Sequence, residues 1–216
     1  AILKDKDNSD EMYKCNVEGT RNVLELCRIN KCPIVFLSSA AVYGLPEYSP
    51  IDEKHPSNPA SNYGKTKLEA EKICGEYQKN YGMKVLILRV FNVIGAGQRE
   101  GFLLSDIIKQ VDKGKVNVMN LHSKRDYIDV KDLVELLFLI RRMDVKEGVY
   151  NVGVGVSCSV GDILEIFKKY KEFNVSSKES YGAVMDIRAD ITKIKEETGW
   201  TPRMSLDDSI KKIISE

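Results

Sequence analysis

The chain has 216 residues, 43% of them hydrophobic, with 33 basic against 32 acidic side chains and a net charge of +1. That length can bury a sizeable core, and the interspersed charges exclude the concentrated basic face of a nucleic-acid binder, Lys168 to Lys171 reading as one solvated helix end. No apolar run reaches the roughly 18 residues of a membrane span, no signal-peptide pattern is present, and five cysteines without a C-x-x-C, beside only two histidines, argue against a metal cluster and for free thiols, mostly small core residues, in a reducing cytoplasm.

Residues 1–8 are polar and read as loop. Ser9 or Asp10 caps a predicted helix running to about Asn30, with Met12, Cys15, Val23, Leu26 and Cys27 towards the core. Ile34 to Leu37 is a continuous apolar run, the pattern of a strand buried on both faces in a parallel sheet. It ends in Ser38-Ser39-Ala40-Ala41-Val42-Tyr43-Gly44, and a Pro-rich loop fills 45–60.

A helix is predicted from Asn62 to Tyr81, capped by Ser61 or Asn62 and stopped by Gly82. Tyr63 and Lys67 are four apart and share a face with Ala70, Cys74, Tyr77 and Tyr81, read as the buried stripe. A lysine there is costly without a task or a partner. An ammonium beside a phenol favours the phenolate, lowers the tyrosine pKa from about 10, and tunes the pair as an acid/base towards neutral pH. For the pentapeptide alone, the competing reading is a chance Y-x-x-x-K with Lys67 snorkelling to water.

Val85 to Val90 reads as a second buried strand, ending in Phe91-Asn92-Val93-Ile94-Gly95. The β-α-β alternation predicts a doubly wound parallel sheet. Ligands of such sheets bind at the carboxyl ends of the strands. A hydroxyl from Ser39, the Tyr63 phenol with Lys67, and the Asn92 amide therefore converge on one rim.

Beyond Gly97 the predicted elements are short and mixed. They are a helix at 102–113, a strand at Val116 to Met119, the segment Lys124 to Val130, a helix from Lys131 to Arg142, and a strand at Val149 to Val152. A glycine loop, Gly153 to Gly155, then precedes a helix at 160–170 and helices near 191–198 and 206–215, with Gly199-Trp200 between the last two. They predict a smaller α/β lobe, dividing the chain into 1–97 and 98–216, some later segments returning to the sheet. His55 and His122 read as solvated, so Ser39 lacks a histidine partner and a serine hydrolase is disfavoured.

Taken in order, Asn16-Val17-x-Gly19-Thr20, Ser38-Ser39-x-x-Val42-Tyr43-Gly44, Tyr63-x-x-x-Lys67, Arg89-x-Phe91-Asn92, Arg125-Asp126-Tyr127 and Gly199-Trp200 resemble the extended short-chain dehydrogenase/reductases that act on nucleotide sugars. Each motif is weak alone; together they cover nearly the whole chain. The resemblance implies a Rossmann-like doubly wound sheet with a smaller substrate lobe, NAD or NADP as cofactor, a nucleotide-sugar substrate, and a homodimer formed through the Tyr63 helix and the helix before it. It implies Tyr63 as catalytic acid/base, Lys67 as the group that lowers its pKa and binds the nicotinamide ribose, and Ser39 as donor to the reacting oxygen. Ser38 and Phe91 fall at cofactor positions, Tyr43, Asn92 and Arg125 at substrate positions, the last gripping the diphosphate. Asn16 matches the helix asparagine of the fold, with a purely structural role as an equal reading. Dehydratases of the group carry Asp-Glu where Ala40-Ala41 stand here. The stretches at 92–106, 120–130 and 148–153 most resemble GDP-4-keto-6-deoxy-D-mannose reductases, with UDP-hexose 4-epimerase as the alternative and a non-catalytic nucleotide-sugar binder as a third reading. Relatives place a nucleotide-holding arginine just before 182–190; Ser180 to Ala183 lack it, leaving Arg188 as a displaced substitute.

The family's opening strand–Gly-x-x-Gly-x-x-Gly–helix has no counterpart here, and Gly153-x-Gly155 reads as a loop under the substrate lobe. The expectation is that the 216 residues belong to a longer chain or need another segment, that they hold NAD(P) poorly and are inactive alone, and that the strand at 34–37 lies at a sheet edge.

Overall fold

A computed structural model describes residues 9–178 and 185–215. The loop expected at 1–8 and the stretch Ser180 to Ala183 lie outside the described residues. Three parallel strands form the main sheet in the order β1 (Ile34–Ser39), β2 (Val85–Val90), β6 (Gly148–Val152). All six residues of β2 are buried. Leu86, Leu88 and Val90 pack with Leu133, Leu136 and Ile140 of α5 (Val130–Arg142). Val85 and Ile87 pack instead with Ala70, Ile73, Cys74 and Tyr77 of α3 (Asn62–Tyr81). Helices on both faces make β2 the central strand, as its unbroken apolar run requires.

β1 departs from expectation. Phe36 and Ser38 are buried, but Val35 and Leu37 are 38% and 39% exposed. Among the described residues β1 pairs only with β2, in the register Ile34 to Val85 through Ser39 to Val90. An apolar run does not say whether both faces find neighbours; side chains alternate, and among the described residues the α3 side is the better covered.

The first predicted helix is also not regular. α1 (Ser9–Tyr13) passes through a π-helical turn, Lys14–Glu18, into α2 (Gly19–Ile29). The wider turn rotates the downstream face by about one residue position. Met12, Asn16, Val17 and Leu24 are therefore buried, while Cys15 is exposed and Val23 and Leu26, read as core at a strict 3.6 period, are 49% and 62% exposed. Cys27 is half-buried against the α3 cluster. Of the five free thiols only Cys74 is buried.

α3 has the predicted limits. Ser61 Oγ accepts the Gly64 N–H, and Gly82, at φ 63°, closes the other end by donating to Gln78 O. Its inward face holds Lys67, Ala70, Cys74 and Tyr77, together with Thr66, Glu71 and Ile73, whereas Tyr81 at the last turn is exposed.

A second layer surrounds β5 (Lys124–Asp129), which pairs with β3 (Asn92–Ile94) and β9 (Asp186–Ile187) in parallel and with β7 (Ser157–Ser159) antiparallel. β4 (Lys115–Met119) pairs with β8 (Asn174–Lys178). α4 (Leu103–Val111), α6 (Val160–Lys168) and α8 (Leu206–Ser215) close a core around Leu104, Ile107, Ile163, Phe167 and Ile210. α7 (Thr192–Thr198) ends at Gly199, φ 68°, and delivers Trp200 into the β2–α5 core. Buried Asp132 accepts the N–H groups of Arg203 and Met204, both at 3.0 Å, and so ties α5 to the segment leading into α8.

Candidate active site

A cavity of about 1120 Å³ opens at the carboxyl ends of β1 and β2. Ser39, Tyr63, Lys67, Phe91, Asn92 and Arg125 all line it. Its described lining includes the cations Lys67 and Arg125 and no Asp or Glu.

Ser39 ends β1 and caps the 3-10 turn Ala40–Val42, its Oγ accepting the Ala41 N–H at 3.1 Å. Tyr63 sits in the first turn of α3, which lies against that 3-10 turn. A Cβ on Gly64 would meet Ala41 O at 2.5 Å, so a glycine beside Tyr63 lets the two segments approach. The Ser39 hydroxyl and the Tyr63 phenol line the cavity together, near enough for Ser39 to act on the Tyr63 pKa.

The electrostatics differ from the expected phenolate pair. Burial pushes the Tyr63 pKa above its ordinary 10, with Ser39 opposing. The Lys67 ammonium is 6.0 Å from the Tyr63 ring centroid and donates to Leu37 O at 2.6 Å, with the Phe36 ring centroid 4.8 Å away. It is thus tied to the strand rather than to the phenol. Burial holds its own pKa below the usual lysine value, with Glu71 pulling back. Lys67 is 6% exposed, so it does not snorkel.

Glu71, unremarked in the sequence, lies one turn beyond Lys67. Ser38 Oγ donates to its Oε1 at 2.5 Å, and Arg89 donates to its two oxygens from Nε at 3.1 Å and Nη2 at 2.7 Å. Ser38 and Arg89 are register partners across β1 and β2. One carboxylate therefore fastens both strand tips to the helix bearing Tyr63 and Lys67. A signal was available: a Glu four residues after a buried-stripe lysine, with an arginine inside an apolar strand. Asn16 braces the same helix, its Nδ2 donating to Thr66 Oγ1 at 3.1 Å.

Some predicted site residues fall elsewhere. Ser38 borders the cavity, but its hydroxyl is turned to Glu71 and away from a cofactor role. Tyr43 does not line the cavity. The 3-10 turn folds it inward to 1% exposure, its hydroxyl donates to Asn151 Oδ1 at 2.7 Å, and the Arg89 guanidinium lies 4.8 Å from its ring centroid. His55 is buried inside the 45–60 loop, its Nε2 accepting the Glu47 N–H at 2.9 Å and its Nδ1 2.8 Å from Pro56 O; it is neither solvated nor free to serve as a base. His122 is exposed as expected. Arg188 is absent from the described lining, where its neighbour Ile187 is found.

On the opposite wall, Asn92 Nδ2 donates to Asp126 O at 2.9 Å, and Arg125 Nη1 donates to Ser123 Oγ at 3.0 Å and Lys124 O at 2.9 Å. Burial pulls the Arg125 pKa down. Phe102, Leu103, Met119, Val160 and Ile187 complete an apolar side, of which only Phe102 and Leu103 lie in a stretch singled out in the sequence. The Gly153–Gly155 loop is a brace: buried Asp126 accepts the N–H groups of Val154 at 2.7 Å, Gly155 at 2.8 Å and Ala189 at 3.2 Å. A carboxylate thus already fills the nest a phosphate would need, and a Cβ on Gly153 would lie 2.8 Å from Asp126 Oδ2.

The GDP-mannose 4,6 dehydratase family matches residues 3–213. A putative UDP-glucose 4-epimerase of Methanocaldococcus jannaschii is 35% identical, over 93% of this chain and 68% of its own length. The GDP-6-deoxy-D-mannose reductase of Pseudomonas aeruginosa is 26% identical, over 93% of this chain and 71% of its own. The structure of RMD from Pseudomonas aeruginosa, complexed with NADPH, superposes with a TM-score of 0.88 at 25% identity, over 96% of this chain and 74% of that one. The chain spans 45% to 52% of the length of the plant relatives it matches. With its parallel sheet, its tyrosine–lysine helix and these matches, the chain belongs to the GDP-mannose 4,6 dehydratase family of extended short-chain dehydrogenase/reductases acting on nucleotide sugars.

Proposed function

We propose that the protein exchanges a hydride and a proton at a carbinol or keto carbon of a nucleotide sugar, with NAD or NADP. The observation that carries this is a half-buried Tyr63 and a buried Lys67 on one helix face, sharing with Ser39 a cavity that holds two cations and no described carboxylate. The volume and the Phe91, Lys67 and Tyr63 lining suit a nicotinamide end, and the apolar wall with Arg125 suits a nucleoside diphosphate. The cofactor, when bound, supplies or takes the hydride. Tyr63 gives or takes the proton of the sugar oxygen, and Ser39, on the same rim, polarises that oxygen. Lys67 holds the ribose and adds positive charge. Arg125, whose described partners are a hydroxyl and a carbonyl, offers its fork to the diphosphate. An elimination needs a carboxylate after Ser39, where Ala40 and Ala41 stand, so dehydration is disfavoured despite the family's name.

Among substrates, the stretch from Asn120 to Val130 supports reduction of a GDP-4-keto-6-deoxyhexose. UDP-hexose 4-epimerisation is the second reading, favoured by the higher identity to the Methanocaldococcus jannaschii relative. Homodimerisation through α2 and α3 is part of the proposal, supported by the exposed Val23, Leu26, Ile29 and Tyr81 on those helices. The full-length protein is assayed with GDP-4-keto-6-deoxymannose and NADPH, and separately with UDP-glucose and NAD. Turnover of the first alone supports reduction, and of the second alone, epimerisation. Tyr63→Phe abolishes turnover while sparing nucleotide-sugar binding; a variant that still turns over refutes the mechanism.

A further inference from the structure

The carboxyl end of α2 closes through two backbone bonds. Cys32 N–H donates to Cys27 O at 3.0 Å, and Lys31 N–H donates to Arg28 O at 3.3 Å. Lys31 between them takes the left-handed conformation, φ 52°. This is the six-to-one, five-to-two closure of a Schellman cap, which brings the first and last residues of the motif into side-chain contact. That contact is normally apolar; here both positions are cysteines. The Cys32 thiol lies 3.7 Å from the Cys27 carbonyl, folded back over the cap. The burial of the two differs in a useful way: Cys32 is exposed and Cys27 is half-buried against the α3 cluster.

We propose that Cys27 and Cys32 form a dithiol that reacts with a hydroperoxide and closes to a reversible disulfide across the α2 cap. Cys32, the accessible sulfur, attacks the peroxide as thiolate, forms an S–O bond and breaks the O–O bond, giving a sulfenic acid. Cys27 then attacks that sulfur and expels water. Overall two thiols and one hydrogen peroxide give one disulfide and two waters, the two electrons passing from the sulfurs to the peroxide. Separately from this geometry, burial and the neighbouring Cys32 thiol both raise the Cys27 pKa, which suits it to the resolving step rather than the first attack. The clasp lies at the entry to β1, whose other end carries Ser39. It does not depend on the proposed substrate chemistry.

The test uses the reduced chain treated with equimolar hydrogen peroxide. The expected product is a monomer lighter by two hydrogens. Trypsin, cutting after Arg28 and Lys31, then releases a cross-linked pair of peptides bearing Cys27 and Cys32, and dithiothreitol separates them. Cys27→Ser leaves a Cys32 sulfenic acid that dimedone traps; Cys32→Ser leaves no adduct and no cross-link. A cross-link to Cys15 or Cys74, a Cys32 that passes to sulfinic acid in the unaltered chain, or thiols untouched by peroxide would each overturn the assignment.

Discussion

Glu71→Gln tests how the catalytic rim is held together. Both partners of the Glu71–Arg89 pair are buried, with side-chain exposures of 6% and 9%. Gln keeps the volume and can still accept one bond, but it leaves the Arg89 guanidinium without a counter-charge in a site closed to water. Removing one partner of a buried pair costs about 3–5 kcal/mol. For a chain of this length each kcal/mol moves Tm by about 2–4 °C, so the fall is on the order of 6–20 °C. Thermal unfolding followed by far-UV circular dichroism measures the shift, and urea unfolding measures the free energy. The paired change Glu71→Met with Arg89→Met removes both charges and is expected to recover most of the loss, because apolar replacements of a buried pair are often neutral. A loss below about 1 kcal/mol for Glu71→Gln, the range of exposed pairs, would refute the claim that this carboxylate fastens the two strand tips to α3.

Other outcomes follow from the same geometry. Tyr63 keeps its proton to higher pH when folded than its ordinary value of 10, so its contribution to stability is whole below that pH and is lost above it; the phenolate absorbance missing from Tyr63→Phe should therefore arise above pH 10, and a difference spectrum appearing below it contradicts the burial argument. Arg125→Met should weaken UDP or GDP binding by roughly tenfold or more, equivalent to ~1.4 kcal/mol, with little loss of fold stability; calorimetry giving an unchanged Kd removes Arg125 from the diphosphate site. Gly44→Ala places a Cβ 1.9 Å from Asn58 O at φ +71°, and a destabilisation of about 1–3 kcal/mol is expected in the urea midpoint; an unshifted midpoint would show that the 45–60 loop yields freely.

Much of the site was legible because local rules carry it. A cap residue, a four-residue spacing and a left-handed glycine are enough to draw α3 with Tyr63 and Lys67 on it, and period and turn chemistry are enough to put Ser39 and Asn92 at strand ends. What escaped was decided by contacts distant in sequence. The strands β3, β7, β8 and β9 are too short or too polar to announce themselves, and exist because β5 and β4 offer them partners. The π-helical turn at 14–18 changed which residues of α2 face inward, turning Leu24 in and Val23 and Leu26 out. Tyr43 and His55 read as exposed or ligand-facing because aromatic and Pro-rich loop residues often are; folding gave both backbone or side-chain partners in the interior.

The amino-acid order alone specified an α/β chain with a tyrosine and a lysine one helical turn apart, because backbone hydrogen bonding imposes its periods on any sequence. Only the folded structure decided what the lysine does. Tertiary packing placed the Leu37 carbonyl within its reach, fastened the Glu71 carboxylate, one turn on, to Ser38 and Arg89, and half-buried the phenol so that its proton is held more tightly. A pKa depends on dielectric surroundings and charge distances, and those are set by groups, such as the Lys67 ammonium and the Leu37 carbonyl, that meet across 30 positions of chain.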